Sequence, residues 1–140
     1  TPKLEKGPDL LVDFISKLKD EKIHVLLAGW RRQYVIRRLT DLGIGYTYVE
    51  RPPQDVINEL YQCLDLYPVT SRQEGGPQSL IECGLLGVPV VSRPVGISSQ
   101  VLPDESISDD VFYAKPGIPD VENMKIPHGY ENFRQLFQGL

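Results

Sequence analysis

The run Ile23-His24-Val25-Leu26-Leu27-Ala28, nearly continuous in apolar residues and stopped by Gly29, constrains this chain more than any other feature. A run this short, without polar alternation, reads as a strand buried on both faces, the condition of a strand inside a parallel sheet. It is preceded by Leu10, Leu11, Phe14, Ile15 and Leu18 at helical spacing over residues 8–20, opened by Pro8 and Asp9, which suit a first helical turn.

The same alternation continues along the chain. A helix over 30–42 ends at Gly43, and a strand over 46–49 stops before Pro52-Pro53. A helix over 54–63 leads to a strand over 64–69, with Pro68 at its end rather than its middle. A helix over 77–86 precedes a strand over 88–92, and a short helix near 98–102 leads to a strand over 110–114. Strands and helices in strict turn, joined by short links, predict an α/β fold: a Rossmann-like parallel sheet flanked by helices on both faces. Residues 1–140 are expected to form one domain, with 115–140 an irregular tail closed by a weak amphipathic helix over 130–137. That segment reads equally as packing on this domain or as the start of a helix crossing to a partner domain.

Composition narrows the classes of function. A chain of 140 residues with 41% hydrophobic residues can bury a core without metal or disulfide staples. The net charge of −4 offers no general field for nucleic acid. No apolar run approaches the length of a membrane span. Cys63 and Cys83 lie in apolar segments without a CxxC pair, and His24 and His128 are far apart. Both cysteines therefore read as core fillers, no metal site is expected, and the pattern fits a reducing, cytoplasmic location. Arg31-Arg32 and Arg37-Arg38, with Trp30 ahead of them, read as a solvated helix face, or as a contact with nucleic acid or with an anionic membrane surface.

The chemistry concentrates in Thr70-Ser71-Arg72-Gln73-Glu74-Gly75-Gly76-Pro77-Gln78-Ser79-Leu80-Ile81-Glu82. This segment leaves a strand and enters a helix, so it lies at the carboxyl edge of the sheet, where open α/β folds bind ligands. Gly75 and Gly76 permit a close approach by ligand, and Pro77 suits the first helical position. The amides of Gln78, Ser79 and Leu80 then head the helix, a site for phosphate oxygens. Neither a Walker lysine motif nor Gly-x-Gly-x-x-Gly is present. Leu80, Ile81, Gly84 and Leu85 read as packing positions, which directs Glu82 to the cleft or solvent, placed to accept from a ribose diol. Glu74, at the loop tip, is placed to reach a sugar hydroxyl. Taken singly, each reads as readily as a solvated glutamate.

Glu74-Gly75-Gly76-Pro77 through Glu82, followed by Cys83-Gly84-Leu85-Leu86-Gly87-Val88-Pro89-Val90-Val91, resembles the signature of glycosyltransferase family 4, retaining enzymes of the two-domain GT-B fold. Lys6-Gly7-Pro8-Asp9 resembles the family's Lys-Gly at the first helix of the carboxyl-terminal domain, and the likeness runs from about residue 3 to 114. The resemblance implies the donor-binding half of an enzyme that moves a sugar from a nucleotide diphosphate to a hydroxyl acceptor, such as a glycan or lipid-linked group. It implies that Glu74 and Lys6 act at the reacting end, with Lys6 on the diphosphate and Glu74 on the donor sugar. It further implies that Glu82 holds the ribose and that Gly75, Gly76, Pro77, Gln78, Ser79 and Leu80 form the phosphate cradle. No metal or cofactor is implied beyond the sugar nucleotide.

The same likeness implies an amino-terminal partner domain and a first strand outside this chain, so that this part alone is expected to be inactive in transfer. Arg51-Pro52-Pro53 stands where relatives carry a glycine-containing loop beside the nucleobase, and the base is left unassigned. Two other readings share the residues: a non-catalytic nucleotide-sugar-binding module, and a structural α/β domain in which Gly75-Gly76 is a tight turn.

Overall fold

The computed structural model describes residues 4–18, 21–73 and 78–122. Its elements follow in the order α1 (Pro8–Lys17), β1 (His24–Ala28), α2 (Gln33–Asp41), β2 (Gly45–Val49), α3 (Gln54–Gln62), β3 (Tyr67–Val69), α4 (Gln78–Leu86), β4 (Val90–Ser92) and α5 (Ser98–Val101). Short 3-10 turns lie at Leu4–Lys6, Asp104–Ser106 and Val111–Tyr113.

Both strand pairs among the described residues are parallel, although Leu27 is the buried residue of β1. β1 pairs with β2 in a register that sets His24 beside Gly45 and Ala28 beside Val49, and β3 pairs with β4 from Tyr67 beside Val90 to Val69 beside Ser92. The two pairs share no ladder among the described residues.

Both faces are covered. Val91 packs with Val12, Phe14, Ile15, Leu27, Val35, Leu39 and Ile44, which come mainly from α1, β1 and α2. Its neighbour Val90 points the other way, into a second cluster with Tyr61, Val69, Leu80, Cys83 and Val101 from α3, β3, α4 and α5. The period of two along β4 thus divides the interior into two cores. Leu39 and Leu80 are wholly buried, one in each; a fully buried leucine contributes about 1.5–3 kcal/mol.

Three expectations are corrected. The strand over 110–114 is a 3-10 turn at Val111–Tyr113. Asp110 accepts the Phe112 N–H at 3.1 Å and closes the turn, while Phe112 and Tyr113 stay exposed and only Val111 is buried. The outer edge of β4 is occupied instead by single bridges from Ile107 and Gly117. Cys63 is exposed rather than a core filler, because it lies just past α3 where the chain turns out toward β3. Leu85 is 53% exposed and is not a packing position.

Residues 115–122 pack back on the domain. Gly117 and Val90 exchange main-chain hydrogen bonds of 2.8 and 3.0 Å, and Val121 is buried against the second core. Gly84 permits this approach, since a Cβ there would meet the Pro119 carbonyl oxygen at 2.7 Å. The helix expected over 130–137 lies outside the described residues.

Candidate functional site

The carboxyl edge of β3 and the amino end of α1 are built as one unit, although they are far apart in sequence. The chain enters through the 3-10 turn Leu4–Lys6 and reverses at Gly7, whose φ of 64° is left-handed. Only glycine fits there: a Cβ at Gly7 would overlap the Thr70 carbonyl oxygen. Thr70, the first residue after β3, sends its hydroxyl to the Gly7 carbonyl at 3.1 Å in a buried contact.

The next residues continue the attachment. The Arg72 and Gln73 amides donate to the Glu5 carbonyl at 2.8 and 3.4 Å. The Arg72 guanidinium donates to the Leu4 carbonyl at 2.8 Å and grips Asp9 with two bonds of 2.7 and 2.6 Å. That fork holds the Asp9 carboxyl below the usual carboxylate range. A second arginine, Arg93, just after β4, donates to the carbonyls of Ser71 and Asp109 at 3.1 Å each. Lys6, exposed at the end of its turn, is thereby carried to the rim beside the loop that leads toward α4.

Glu74, Gly75, Gly76 and Pro77 lie outside the described residues. From Gln78 onward α4 is regular, with Gln78 exposed, Ser79 half-buried and Leu80 fully buried. Its first amides head a helix of nine residues, the end of a helix that favours anions.

Glu82 is half-buried in the seam between α3 and α4. Its carboxylate lies beside the Tyr61 hydroxyl of α3, and burial followed by the charge of the adjoining groups raises the Tyr61 pKa. Tyr67, the first residue of β3, stacks on Tyr61 at 5.7 Å between ring centroids and also faces Ser79. Cys83 beside them is pushed up to about 12 by burial and by the Glu82 charge, an inert thiol. Glu82 and Ser79 therefore share one polar seam, and Lys6 belongs to the rim above Thr70. The described residues place these as two groups.

Arg72, Asp9, Arg93, Tyr61 and Tyr67 were not singled out from the sequence. Arg72 and Asp9 stand 63 positions apart, and no local periodicity reports such a pair. The two tyrosines read as core side chains, which they also are.

On the β1–β2 side of the same edge, Arg51 N–H donates to the Gly29 carbonyl at 3.4 Å, and Tyr48 Oη to the same oxygen at 3.0 Å. Trp30 is 49% exposed, with the guanidiniums of Arg31 and Arg51 4.2 and 4.1 Å from its ring centroid. Arg32 is not part of that group, because it turns back to the carbonyls of Ala28 and Trp30. No described helix is long and apolar enough to cross a membrane.

With this geometry in view, comparisons with known proteins agree on the fold. Anabaena HepE in complex with UDP and glucose superposes with a TM-score of 0.74 at 15% identity over 99% of this chain and 46% of that one. The complex of HepE with UDP-glucose gives 0.63 at 19% identity, over 95% of this chain and 38% of the other. Sucrose-phosphate synthase from Thermosynechococcus elongatus gives 0.63 at 18% identity, over 99% and 44%. This chain thus spans less than half the length of each of these structures. None of the curated proteins compared with it matches in sequence. The family model described as glycosyl transferases group 1 matches residues 2–120. With its parallel α/β architecture matching the carboxyl-terminal, Rossmann-like half of GT-B enzymes, the chain belongs to the glycosyl transferases group 1.

Proposed function

We propose that this chain is the donor-binding domain of a retaining glycosyltransferase of family 4, which moves a sugar from a nucleotide diphosphate to a hydroxyl acceptor. The observation that supports the reading is the joining of the Lys6-Gly7 segment to Thr70, Arg72 and Gln73, the stretch that leaves β3. UDP and UDP-glucose are bound in the HepE structures, and a uridine diphosphate sugar is the donor we assign. In this reading Lys6 and the amides of Gln78, Ser79 and Leu80 neutralise charge growing on the leaving diphosphate, a role that matters most in a closed cleft. Glu74 holds the transferred sugar, and Glu82 takes the ribose hydroxyls.

The acceptor and the rest of the cleft belong to an amino-terminal domain, so that residues 1–140 form a single donor domain without transfer activity of their own. We assign the working enzyme to the cytoplasm. Calorimetric titration of the chain with UDP-glucose tests the reading. Binding by the wild type and loss on the order of tenfold or more in Glu82→Ala, about 1.4 kcal/mol, is the expected result. A folded wild type that binds no sugar nucleotide would favour a structural α/β domain.

A further inference from the structure

We propose that Trp30, with the guanidiniums of Arg31 and Arg51 stacked on it at the carboxyl edge of β1 and β2, is a docking point for an anionic membrane surface. The inference stands apart from the donor reading, and its test uses no sugar nucleotide.

The sheet itself assembles the group. The pairing of β1 with β2 runs on past Ala28 and Val49: the Gly29 amide donates to the Val49 carbonyl at 3.2 Å, and the Arg51 amide to the Gly29 carbonyl at 3.4 Å. Trp30 and Arg51, distant in sequence, are thereby brought together. Arg31 and Arg51 both adopt the left-handed backbone, with φ of 60° and 48°, a conformation that is costly for a residue with a Cβ. Both lay their guanidiniums over the Trp30 ring, 4.2 and 4.1 Å from its centroid. This strained pair of turns holds at the rim an indole that is 49% exposed, and strain kept in this way marks a place selected for more than packing.

Charge narrows the partner. Residues 30–51 hold five arginines against two acids, Asp41 and Glu50, in a chain whose net charge is −4. Arg72 and Arg93 each answer a carboxylate, whereas no carboxylate among the described residues pairs with Arg31, Arg37, Arg38 or Arg51, all of them exposed. Such a local excess is complementary to a negatively charged surface. A bilayer interface suits both parts of the group: anionic headgroups meet the guanidiniums, and an indole settles at headgroup level with its ring in the apolar boundary and its N–H in water. A nucleic acid would stack a base on the ring, where the guanidiniums already lie.

The test is sedimentation of the chain with vesicles of phosphatidylcholine mixed with phosphatidylserine, and with phosphatidylcholine alone. Trp30, the single tryptophan, reports on the contact by its emission. Binding to the phosphatidylserine vesicles only, weakened by added salt and accompanied by a blue shift, is the expected result. Arg31→Gln and Arg51→Gln are each expected to weaken it about fivefold. Lys22→Gln removes an exposed cation before the other end of β1 and should leave it unchanged. A folded wild type that ignores anionic vesicles at low salt, binding without a change in emission, or an equal loss in Lys22→Gln would overturn the proposal. Tighter binding of a single-stranded oligonucleotide than of the vesicles would overturn it in favour of a nucleic-acid surface. Thermal unfolding checks each variant, and if one of the two arginine variants fails to fold, the other decides.

Discussion

The β3 side of the carboxyl edge is knitted by main-chain hydrogen bonds between segments more than sixty residues apart, whereas the β1–β2 side rests on an exposed indole flanked by two guanidiniums. Among the described residues of the first side, the left-handed positions are glycines: Gly7, packed on Thr70, and Gly96 beyond β4. On the second side Arg31 and Arg51 themselves take positive φ, 60° and 48°. Non-glycine residues in that region cost about 1–3 kcal/mol each, while a cation over an exposed ring contributes about 0.5–1 kcal/mol. The two rims thus stand in opposite relation to stability. One is held in place before any ligand arrives, and the other carries backbone strain that its own contacts barely offset. The diphosphate site proposed for the first rim would benefit from that arrangement.

The largest effect that would break this contrast is at Gly7. Gly7→Ala places a Cβ against the Thr70 carbonyl in a left-handed backbone, and urea unfolding is expected to show a loss of about 3 kcal/mol or more. Gly43→Ala is the matched control, with a φ of 69° and nothing within 4 Å of the added carbon, and is expected to lose only about 1 kcal/mol. Equal losses would mean that backbone strain alone, not the joining of the two segments, makes Gly7 necessary.

The opposite rim should respond in the opposite direction. Arg51→Gly removes the strain and one guanidinium together, so unfolding free energy is expected to change by less than about 1 kcal/mol. Trp30 is the chain's single tryptophan, and its fluorescence should change in intensity in the same variant as the ring loses one of its stacked cations. A loss of stability above about 2 kcal/mol, or an unaltered emission, would show that this rim is as firmly built as the other.

The smallest effect is on pH dependence. The Arg72 fork lowers the Asp9 pKa below the ordinary carboxylate range. A lowered carboxylate contributes stability that is present above its unfolded pKa and is lost as pH falls through the folded one. The Asp9 contribution should therefore be constant from pH 5 to 8 and fade only in acid below the ordinary carboxylate range. Asp9→Asn should flatten the acid limb slightly and leave the neutral region parallel to wild type; a difference that varies between pH 6 and 8 would contradict this.

Much of the architecture was legible locally. The runs around Val25–Leu27 and Val90–Val91 and the helical spacing of Leu10, Phe14 and Ile15 predicted parallel strands with helices on both faces, because burial on two sides leaves few polar positions in a strand. The strand expected at 110–114 failed for a reason equally local in origin: Asp110 offered the Phe112 amide a side-chain partner, and a turn replaced the ladder. Helix ends moved inward by a few residues, since terminal turns carry little periodicity. Within the proposed site, the Gly75-Gly76 pair and Glu82 stood out by position and composition. Arg72 and Asp9 did not, for each is an ordinary charged residue until the other is seen.

The sequence by itself determined most of the order of strands and helices and the parallel class of the sheet, because apolar spacing and turn residues act over a few positions. Only the tertiary structure decided that Gly7 must seat on Thr70, that Arg72 ties the first helix to the loop after β3, and that Glu82 lies beside Tyr61 in the α3–α4 seam. Those relations depend on which distant segments the two cores bring together, and hydrogen bonds across such distances leave no periodic trace along the chain.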